Sequence, residues 1–540
     1  MKKYFLQLLL LPFGLFAQTP TWEWLTKSIG SDYVGSRSIS LDNNGNVYTV
    51  GNYSTNTFNY GGLTLTNTSL STARDSYVAK HNSLGEIIWL KGISGINNEE
   101  ILKVNTDNNN NVYILGAFNS PNITIGSTTL TNSGYYDIYL AKLNSDGDLI
   151  WVKSISGTDN ESAEGLTVDS SGNVYVGGRF SSTSITIGTT VLNNATTSGA
   201  GFLLKFDSLG NPIWNKVING SIYDYVEAVS VDSLGNVFIA GGFNSPTLSF
   251  DTTVLNNTNN YKDIFIAKYN STGIFQWAKK IGGTDDDDVR NIKLDNVGNL
   301  YLTGHFSSPV LTLGTTTLTR TSTQDIFLTK YNTNGNLLWA KKAGNSSYNV
   351  STGLTIDSDN NSYISGAYFN SITFENLPQL VSQGNQDVFL TKYDATGNAI
   401  WSKSNGGIYN DFGFALTSNQ SNEVFLTGTI GPQCTPFDDI NAYTNTSYNF
   451  ISKLSSATLS NQDFISNNVS IYPNPVNEDL NILSLDNIHN KKYQIINALG
   501  RIITESYLDN YSNSIPVNFL QSGIYFLKIE DYEAIKFIKN

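Results

Sequence analysis

One cysteine, Cys434, is all that 540 residues contain. An intramolecular disulfide is therefore excluded, no cysteine pair exists to hold zinc, and stability must come from packing. Charge is scarce as well. Asp, Glu, Lys and Arg make up 14% of the chain, and 32 basic side chains against 45 acidic ones leave a formal charge of −13. That sign opposes polyanionic partners, so neither nucleic acid nor anionic lipid is expected to bind. Beyond the first residues no run approaches the roughly 18 apolar residues that a membrane-spanning helix requires, and no transmembrane segment is expected. Motifs of chemistry are missing too: there is no nucleophile elbow, no H-E-x-x-H and no Walker loop. Glycosidase carboxylate pairs, by contrast, leave no local signature to look for.

What is plentiful is aromatic and small polar. Aromatics reach 12%, and Thr, Asn, Ser and Gly crowd the chain, a mixture that suits many short strands joined by tight turns. The fold class read from this is all-β. The N-terminus differs: Lys2 and Lys3 precede an apolar run from Tyr4 to Phe16 that ends in Ala17. This is the order of a Sec signal peptide, residues 1–17, with cleavage expected after Ala17. No cysteine sits beside that point, so a lipoprotein anchor is not expected.

A repeat dominates the rest. Trp89, Trp151, Trp214, Trp277, Trp339 and Trp401 are separated by 62, 63, 63, 62 and 62 residues, and Trp24 lies 65 before the first. Between tryptophans the same units recur, as in the third copy: A-E-G-L-T-V-D, S-S-G-N-V-Y-V-G-G-R-F, an irregular stretch, G-F-L-L-K-F-D, then S-L-G-N-P-I-W. Each apolar run has strand length and strand composition, giving four strands per repeat, A to D. The A–B turn reads D-x-x-G-N, with Gly45, Gly172, Gly235 and Gly298 at one position and Asn110 and Asn360 in their place in two copies. Asn is the next residue most tolerant of positive φ, so the exchange itself reports a left-handed backbone. The C–D turn repeats the pattern at Gly85, Gly147, Gly210, Gly273, Gly335 and Gly397, as in a type I turn with a bulge.

Four-stranded units in a long array fit a β-propeller. Seven A–B–C triplets are present, but the seventh, ending at Leu454, has no Trp-bearing D strand after it. The missing strand is expected at the other end of the chain, in residues 21 to 27 with Trp22 and Trp24. Residues 18–454 are therefore predicted to form a seven-bladed propeller closed by its N-terminal strand, a device that covers two otherwise exposed sheet edges. The D-x-x-G-N-V-Y-V-x-G segment, best at Asp169 to Gly177 and Asp42 to Gly51, resembles the bacterial β-propeller repeat family of exported proteins. That resemblance implies fold and export more than chemistry.

After a Ser-rich linker, 455–466, the pattern stops. Residues 467–540 hold Tyr472-Pro473-Asn474-Pro475-Val476, then N-A-L-G-R at 497 to 501, the strand Ser522-Gly523-Ile524-Tyr525-Phe526-Leu527-Lys528-Ile529, and the tail Lys536-Phe537-Ile538-Lys539-Asn540. In order and spacing this resembles the type IX secretion C-terminal sorting domain of Bacteroidetes. The resemblance implies a small immunoglobulin-like β-sandwich, passage through the periplasm, recognition by the outer-membrane translocon, and a cell-surface or extracellular destination. It places the sorting signal on Tyr472, Pro473, Asn474, Pro475, Gly523, Lys536 and Lys539.

With strand A innermost, A–B and C–D turns share one face of the ring, and D–A and B–C loops share the other. Binding is expected on the second face, enlarged by B–C insertions such as residues 123–130 and 311–318. Its D–A loops carry Asp32, Glu99, Glu100, Asp159, Glu161, Asp224, Asp285, Asp286, Asp287, Asp288 and Asp411. The run Asp285 to Asp288 is the candidate for a metal, calcium being the ion that takes such oxygens. A solvated acidic loop is the plainer reading, and no other cofactor is expected.

A catalytic residue would have to break the repeat, and none is assigned. His81 takes a slot that holds Leu143, Phe206, Tyr269, Tyr331 and Tyr393 elsewhere and reads as packing. His305 reads as a variable surface position, His489 lies outside the repeats, and Cys434 reads as a buried or incidental thiol. Lys80, Lys142, Lys205, Lys268, Lys330, Lys392 and Lys453 recur in every C strand, most of them five residues after an Asp, and read as scaffold that pairs with charge or covers apolar surface. The function expected is an exported scaffold that binds or adheres to an extracellular glycan or protein. The alternative is a secreted carbohydrate-active hydrolase using carboxylates on the loop-rich face.

Overall fold

The computed structural model describes residues 20–29, 33–67, 73–196, 198–345, 347–455, 469–484, 488, 490–497, 501–508, 514–530 and 535–540. The signal peptide expected at 1–17, Asp32, His489, residues 498–500 of the N-A-L-G-R segment and 456–466 of the linker lie outside them. Every regular element among the described residues is a β-strand. The chain folds as two compact units, Met1–Ser456 and Ala457–Asn540.

The first unit is a β-propeller of four-stranded antiparallel sheets. In the third, Glu161–Val168, Val174–Phe180, Ala200–Phe206 and Pro212–Ile218 pair in that order, and five others are likewise built from one continuous stretch each. The seventh sheet takes Phe412–Ser418, Val424–Ile430 and Tyr448–Leu454 from one end of the chain and Trp22–Ile29 from the other, and the end of Trp22–Ile29 also pairs with the hairpin Thr57–Tyr60 and Leu63–Thr66. There Trp24 lies opposite Lys453 and Lys27 opposite Phe450. The A strands touch one another in sequence, and the A strand of the seventh sheet, Phe412–Ser418, touches that of the first, Val34–Leu41.

Burial follows from this stacking. B and C strands such as Val112–Phe118 and Asp137–Leu143 are buried along their whole length, because each sheet has a neighbour on both faces. An apolar cluster fills the space between each successive pair. The seam has its own, with Val34, Tyr53, Phe58 and Tyr77 of the first sheet against Phe425 and Ile451 of the seventh.

The tryptophan period has a direct cause. Each D-strand indole reaches across to the C–D turn of the next sheet: Nε1 of Trp89 donates to the Ser145 carbonyl at 3.1 Å, Trp151 to Ser208 at 3.2 Å and Trp214 to Ser271 at 3.3 Å. A Cβ on the turn glycine would sit about 3 Å from that indole, at 3.1 Å for Gly147 and Gly210 and 3.0 Å for Gly273. Trp24 does the same across the seam, to Ser83 at 3.2 Å. Trp401 meets no such turn, since the seventh C and D strands come from opposite chain ends; it shares a cluster with Trp22, whose indole bonds Asn405 at 3.0 Å.

The A–B turn aspartate explains its own motif. In the third sheet Asp169 Oδ1 accepts the amides of Ser171 and Asn173, and Oδ2 accepts the Asn173 side chain and the Tyr175 hydroxyl. Asn110 and Asn360 stand at φ 61° and 64°, and Asn422 fills the same slot in the seventh sheet at 63°. The C-strand lysines do not use the Asp five residues earlier. Lys142 and Lys330 pair with the A–B turn carboxylates Asp107 and Asp295, at 3.4 and 3.2 Å, over the rings of Tyr113 and Tyr301. Lys80 and Lys205 bond the next sheet's turn carbonyls of Ser145 and Ser271.

The B–C insertions are not free loops. In the first five sheets they form two-stranded hairpins such as Asn122–Ile125 with Thr128–Thr131, and those of the third to fifth sheets lie across the D strands of their own and the preceding sheet. Their alternating Ile, Leu and Thr residues bury one face, as Ile185, Ile187 and Leu192 do.

The second unit packs a three-stranded sheet, Val469–Tyr472, Asp479–Ser484 and Ser514–Pro516, with a four-stranded one, Ile502–Tyr507, Lys492–Asn497, Gly523–Ile529 and Ile535–Lys539. Leu480, Ile482, Ile495, Ile515, Leu527 and Phe537 form the core they share.

Candidate functional site

Each A strand carries a register shift against its B strand near its fourth residue. A bulge leaves one residue unpaired and re-aims its side chain. The residues so placed are Arg37, Leu102, Glu164, Glu227, Arg290, Thr352 and Phe414, and all but Leu102 line a cavity of about 320 Å³ enclosed by the A strands. This position is where the repeat stops repeating.

At the loop-face end, between the third, fourth and fifth sheets, opens a cavity of about 370 Å³ that shares Glu164, Glu227 and Arg290 with the first. Asp288, second residue of Asp287–Leu294, is its centre. The carboxylate receives the Tyr225 hydroxyl at 2.9 Å and the Lys262 ammonium at 2.7 Å, with His305 Nε2 at 3.5 Å and Arg290 at 4.0 Å. Burial pushes the Asp288 carboxyl up, but the hydrogen bond and charge of His305, with Lys262 and Arg290, outweigh it and hold the group below the usual carboxylate range. The His305 pKa is lowered as well, since burial lowers it more than the hydrogen bond and charge of Asp288 raise it. At 7% exposure His305 is not the surface position that the sequence suggested. Arg290 also pairs with Glu227 at 3.7 Å. Glu227 is raised by burial and then by the neighbouring Glu164, which in turn pairs with Lys103 at 3.5 Å.

The run Asp285 to Asp288 does not act as a unit. Asp285 accepts the Asp286 amide, Asp286 accepts the Lys262 amide, Asp287 accepts the Ser308 hydroxyl at 2.8 Å, and Asp288 faces the cavity. Among the described residues no three His, Cys, Asp or Glu side chains converge as metal ligands. Nor are the loop-face acids uniformly solvated. Glu99, Glu161, Asp224, Asp287 and Asp411 are buried. Glu161 and Asp224 accept Ser182 and Ser245 hydroxyls at 2.6 and 2.7 Å, and Asp411 accepts the Gly407 and Gly431 amides. Burial raises Glu99, Glu161, Asp287 and Asp411 to about 7. Glu100 and Asp159 remain nearer solvent.

His81 is enclosed against Tyr60, ring centroids 5.0 Å apart, and burial lowers it to about 4. Cys434 is buried, and burial raises its thiol far above the usual range, the reverse of an activated nucleophile.

Several of the residues expected to carry the sorting signal meet in the second unit. Asn474 Oδ1 accepts the Ile538 amide at 2.9 Å and its Nδ2 donates to the Lys536 carbonyl, while Val476 bridges Lys539. Gly523 lies opposite Lys539. The Tyr472 to Val476 segment is thus fastened to the last strand of the chain, with Tyr472 itself 53% exposed.

Sequence reasoning missed Arg179, Tyr223, Tyr225, Glu227, Lys262 and Arg290. A signal existed: aligning the A strands puts Arg, Leu, Glu, Glu, Arg, Thr and Phe in one column, a change of charge that no packing position in a repeat requires.

A propeller whose sheets differ mainly at one mouth, followed by a small two-sheet unit, defines a class: a scaffold with an appended terminal domain. Residues 470–540 match the family described as the secretion system C-terminal sorting domain. The chain is an exported propeller protein with a type IX sorting domain at its C-terminus, and its destination is the cell surface or the extracellular space. An uncharacterized WD repeat-containing protein of Acanthamoeba polyphaga mimivirus is 23% identical over 462 residues, covering 69% of this chain and 33% of its own length. The chain thus spans a third of that relative. Among solved structures, the Pan2 WD40 domain of Neurospora crassa is 9% identical, covers 79% of this chain and 94% of its own, and has a TM-score of 0.40. PorZ, a surface component of the type-IX secretion system of Porphyromonas gingivalis, is 11% identical over 94% and 81% of the two chains, with a TM-score of 0.22. Likenesses this distant carry no argument about activity.

Proposed function

We propose that the protein is a secreted or surface-held binding scaffold: a seven-bladed ring, closed by Trp22–Ile29, whose ligand, a glycan or a protein, docks at the loop-face cavity between the third and fifth sheets. Support comes from one observation above the others. The turns, tryptophans and lysines repeat from sheet to sheet, whereas the charged residues Lys262, Asp288, Arg290 and Glu227 gather at one place and line a concave polar surface. Polar groups maintained there without a repeat partner are the mark of a site rather than of the scaffold. The C-terminal unit, read as an immunoglobulin-like sandwich, is recognised by the outer-membrane translocon through Tyr472 to Pro475, Gly523, Lys536 and Lys539.

Screening the full chain against glycan and matrix-protein arrays tests the binding role, with Lys262→Ala as the control. Retention of an array ligand that Lys262→Ala weakens supports the cavity; an array with no ligand removes the support. Deleting residues 462–540 in a type IX-competent host tests delivery. Trapping in the periplasm is the expected result, and arrival at the surface despite the deletion refutes the sorting role.

The second reading, a carbohydrate-active hydrolase, is favoured by Glu227 alone: its buried carboxyl is raised beside Glu164, and a retained proton of that kind is what general acid chemistry uses. Turnover of a polysaccharide panel that Glu227→Gln abolishes would establish it.

A further inference from the structure

We propose that the cavity recognises a carboxylated sugar, of the uronic-acid kind, and that Arg179 receives its carboxylate. This rests on the cavity being the ligand site. The three cations that line it are not equivalent. Lys262 is occupied by Asp288 at 2.7 Å, and Arg290 is shared between Glu227 and Asp288. Arg179, next to last in Val174–Phe180, is exposed, and its guanidinium carbon lies 5.0 Å from the centroid of the Tyr223 ring. No described carboxylate comes within the 4.0 Å of an ion pair with it. A guanidinium held over an aromatic face loses little further freedom on binding and keeps its in-plane N–H donors for a planar carboxylate.

The charge of the lining selects among anions. Arg179, Lys262 and Arg290 against Glu164, Glu227, Asp286 and Asp288 give 3 − 4 = −1. A sulfated or phosphorylated chain meets net repulsion there. A ligand with one carboxylate among many hydroxyls meets one uncommitted cation and a wall of acceptors, Asp286 and Glu164, with Asn244 able to donate and accept. Val226 is the sole aliphatic side chain lining the cavity, which offers little to the apolar anchors by which peptides are held. The volume, about 370 Å³, is small for a ligand site and suits a short saccharide.

The test is calorimetric titration of the full chain with a trisaccharide that bears a single galacturonate and with its carboxyl-reduced, neutral counterpart. The acid should bind about tenfold tighter than the neutral sugar, the usual worth of a charge-assisted pair, and 0.5 M salt should narrow the gap. Arg179→Gln should erase the difference, and Arg179→Lys should restore part of it. Equal affinity for the two sugars, both lost in Tyr223→Ala, would overturn the carboxylate assignment and leave the cavity as the binding site. Binding of neither sugar, or binding indifferent to Tyr223→Ala and Arg179→Gln alike, would overturn the proposal together with the cavity. Far-UV circular dichroism confirms that each variant is folded.

Discussion

On the turn face nearly every sheet makes the same contacts: an indole N–H to the next sheet's turn carbonyl everywhere but at Trp401, and, everywhere but in the seventh sheet, a lysine over an aromatic ring and an aspartate that ties its own turn. On the loop face the sheets share buried acids at the heads of most A and C strands, and beyond these each presents different residues. The first face is where the sequence repeats because adjacent sheets must fit. The second is where it is released from that demand, and there the charged cavity lies.

Substitutions should separate the faces. The largest effect is expected from the tryptophans: Trp151→Ala should cost about 3 kcal/mol or more, read as a fall in the urea midpoint, while Tyr223→Ala on the loop face should cost under about 1 kcal/mol. A comparable loss in both would erase the distinction.

The faces should also respond oppositely to pH. At the loop face, Glu99, Glu161, Asp287 and Asp411 titrate near 7 when folded, raised by burial, against about 4 when unfolded. Between those values the folded chain holds protons that the unfolded chain has lost, so this contribution is full in acid and disappears as pH rises through 7. At the turn face, burial alone would raise Asp107, but its hydrogen bonds from Asn111, Tyr113 and Asn109 prevail and lower it. That contribution is present above the ordinary carboxylate range and lost below it. Urea midpoints should therefore fall from pH 5 to pH 8, and Glu161→Gln should flatten that slope by roughly 1–3 kcal/mol. A midpoint that rises over this range would show the acids to be ionised in the fold.

A smaller difference is expected from the turn carboxylates. Asp169→Ala should lose about 1–2 kcal/mol, whereas Asp285→Ala should stay within about 0.5 kcal/mol. Smallest of all, Gly172→Asn should be nearly silent, because Asn110 holds the same left-handed slot, while Gly172→Val at φ 80° should be clearly destabilising.

Much of the ring was legible because its constraints are local and recur. The 62-residue tryptophan period records one contact made again and again, and the Gly–Asn exchange records a sign of φ. The loop-face acids were misjudged because burial at a strand's first residue depends on the neighbouring sheet: Asp286 and Asp287 adjoin in sequence, yet one is exposed and the other enclosed beside Ser308. His305 was misjudged for the same reason, its partner Asp288 lying on another strand. Arg179 and Tyr223 are 44 positions apart, one in the third sheet and the other in the loop that leads into the fourth, so nothing short of the packed ring brings them together.

The seam gives the ring a direction in time. Its last pairing joins Trp22–Ile29 to Tyr448–Leu454, and the Asn449 amide reaches the Ser28 hydroxyl across 421 residues. Closing so long a span costs little more free energy than closing a short one, because the entropic penalty grows only with the logarithm of length, but it is slow. A chain delivered from its N-terminus waits, with one strand in hand, until its final repeat emerges. The finished ring is then a record that every repeat arrived.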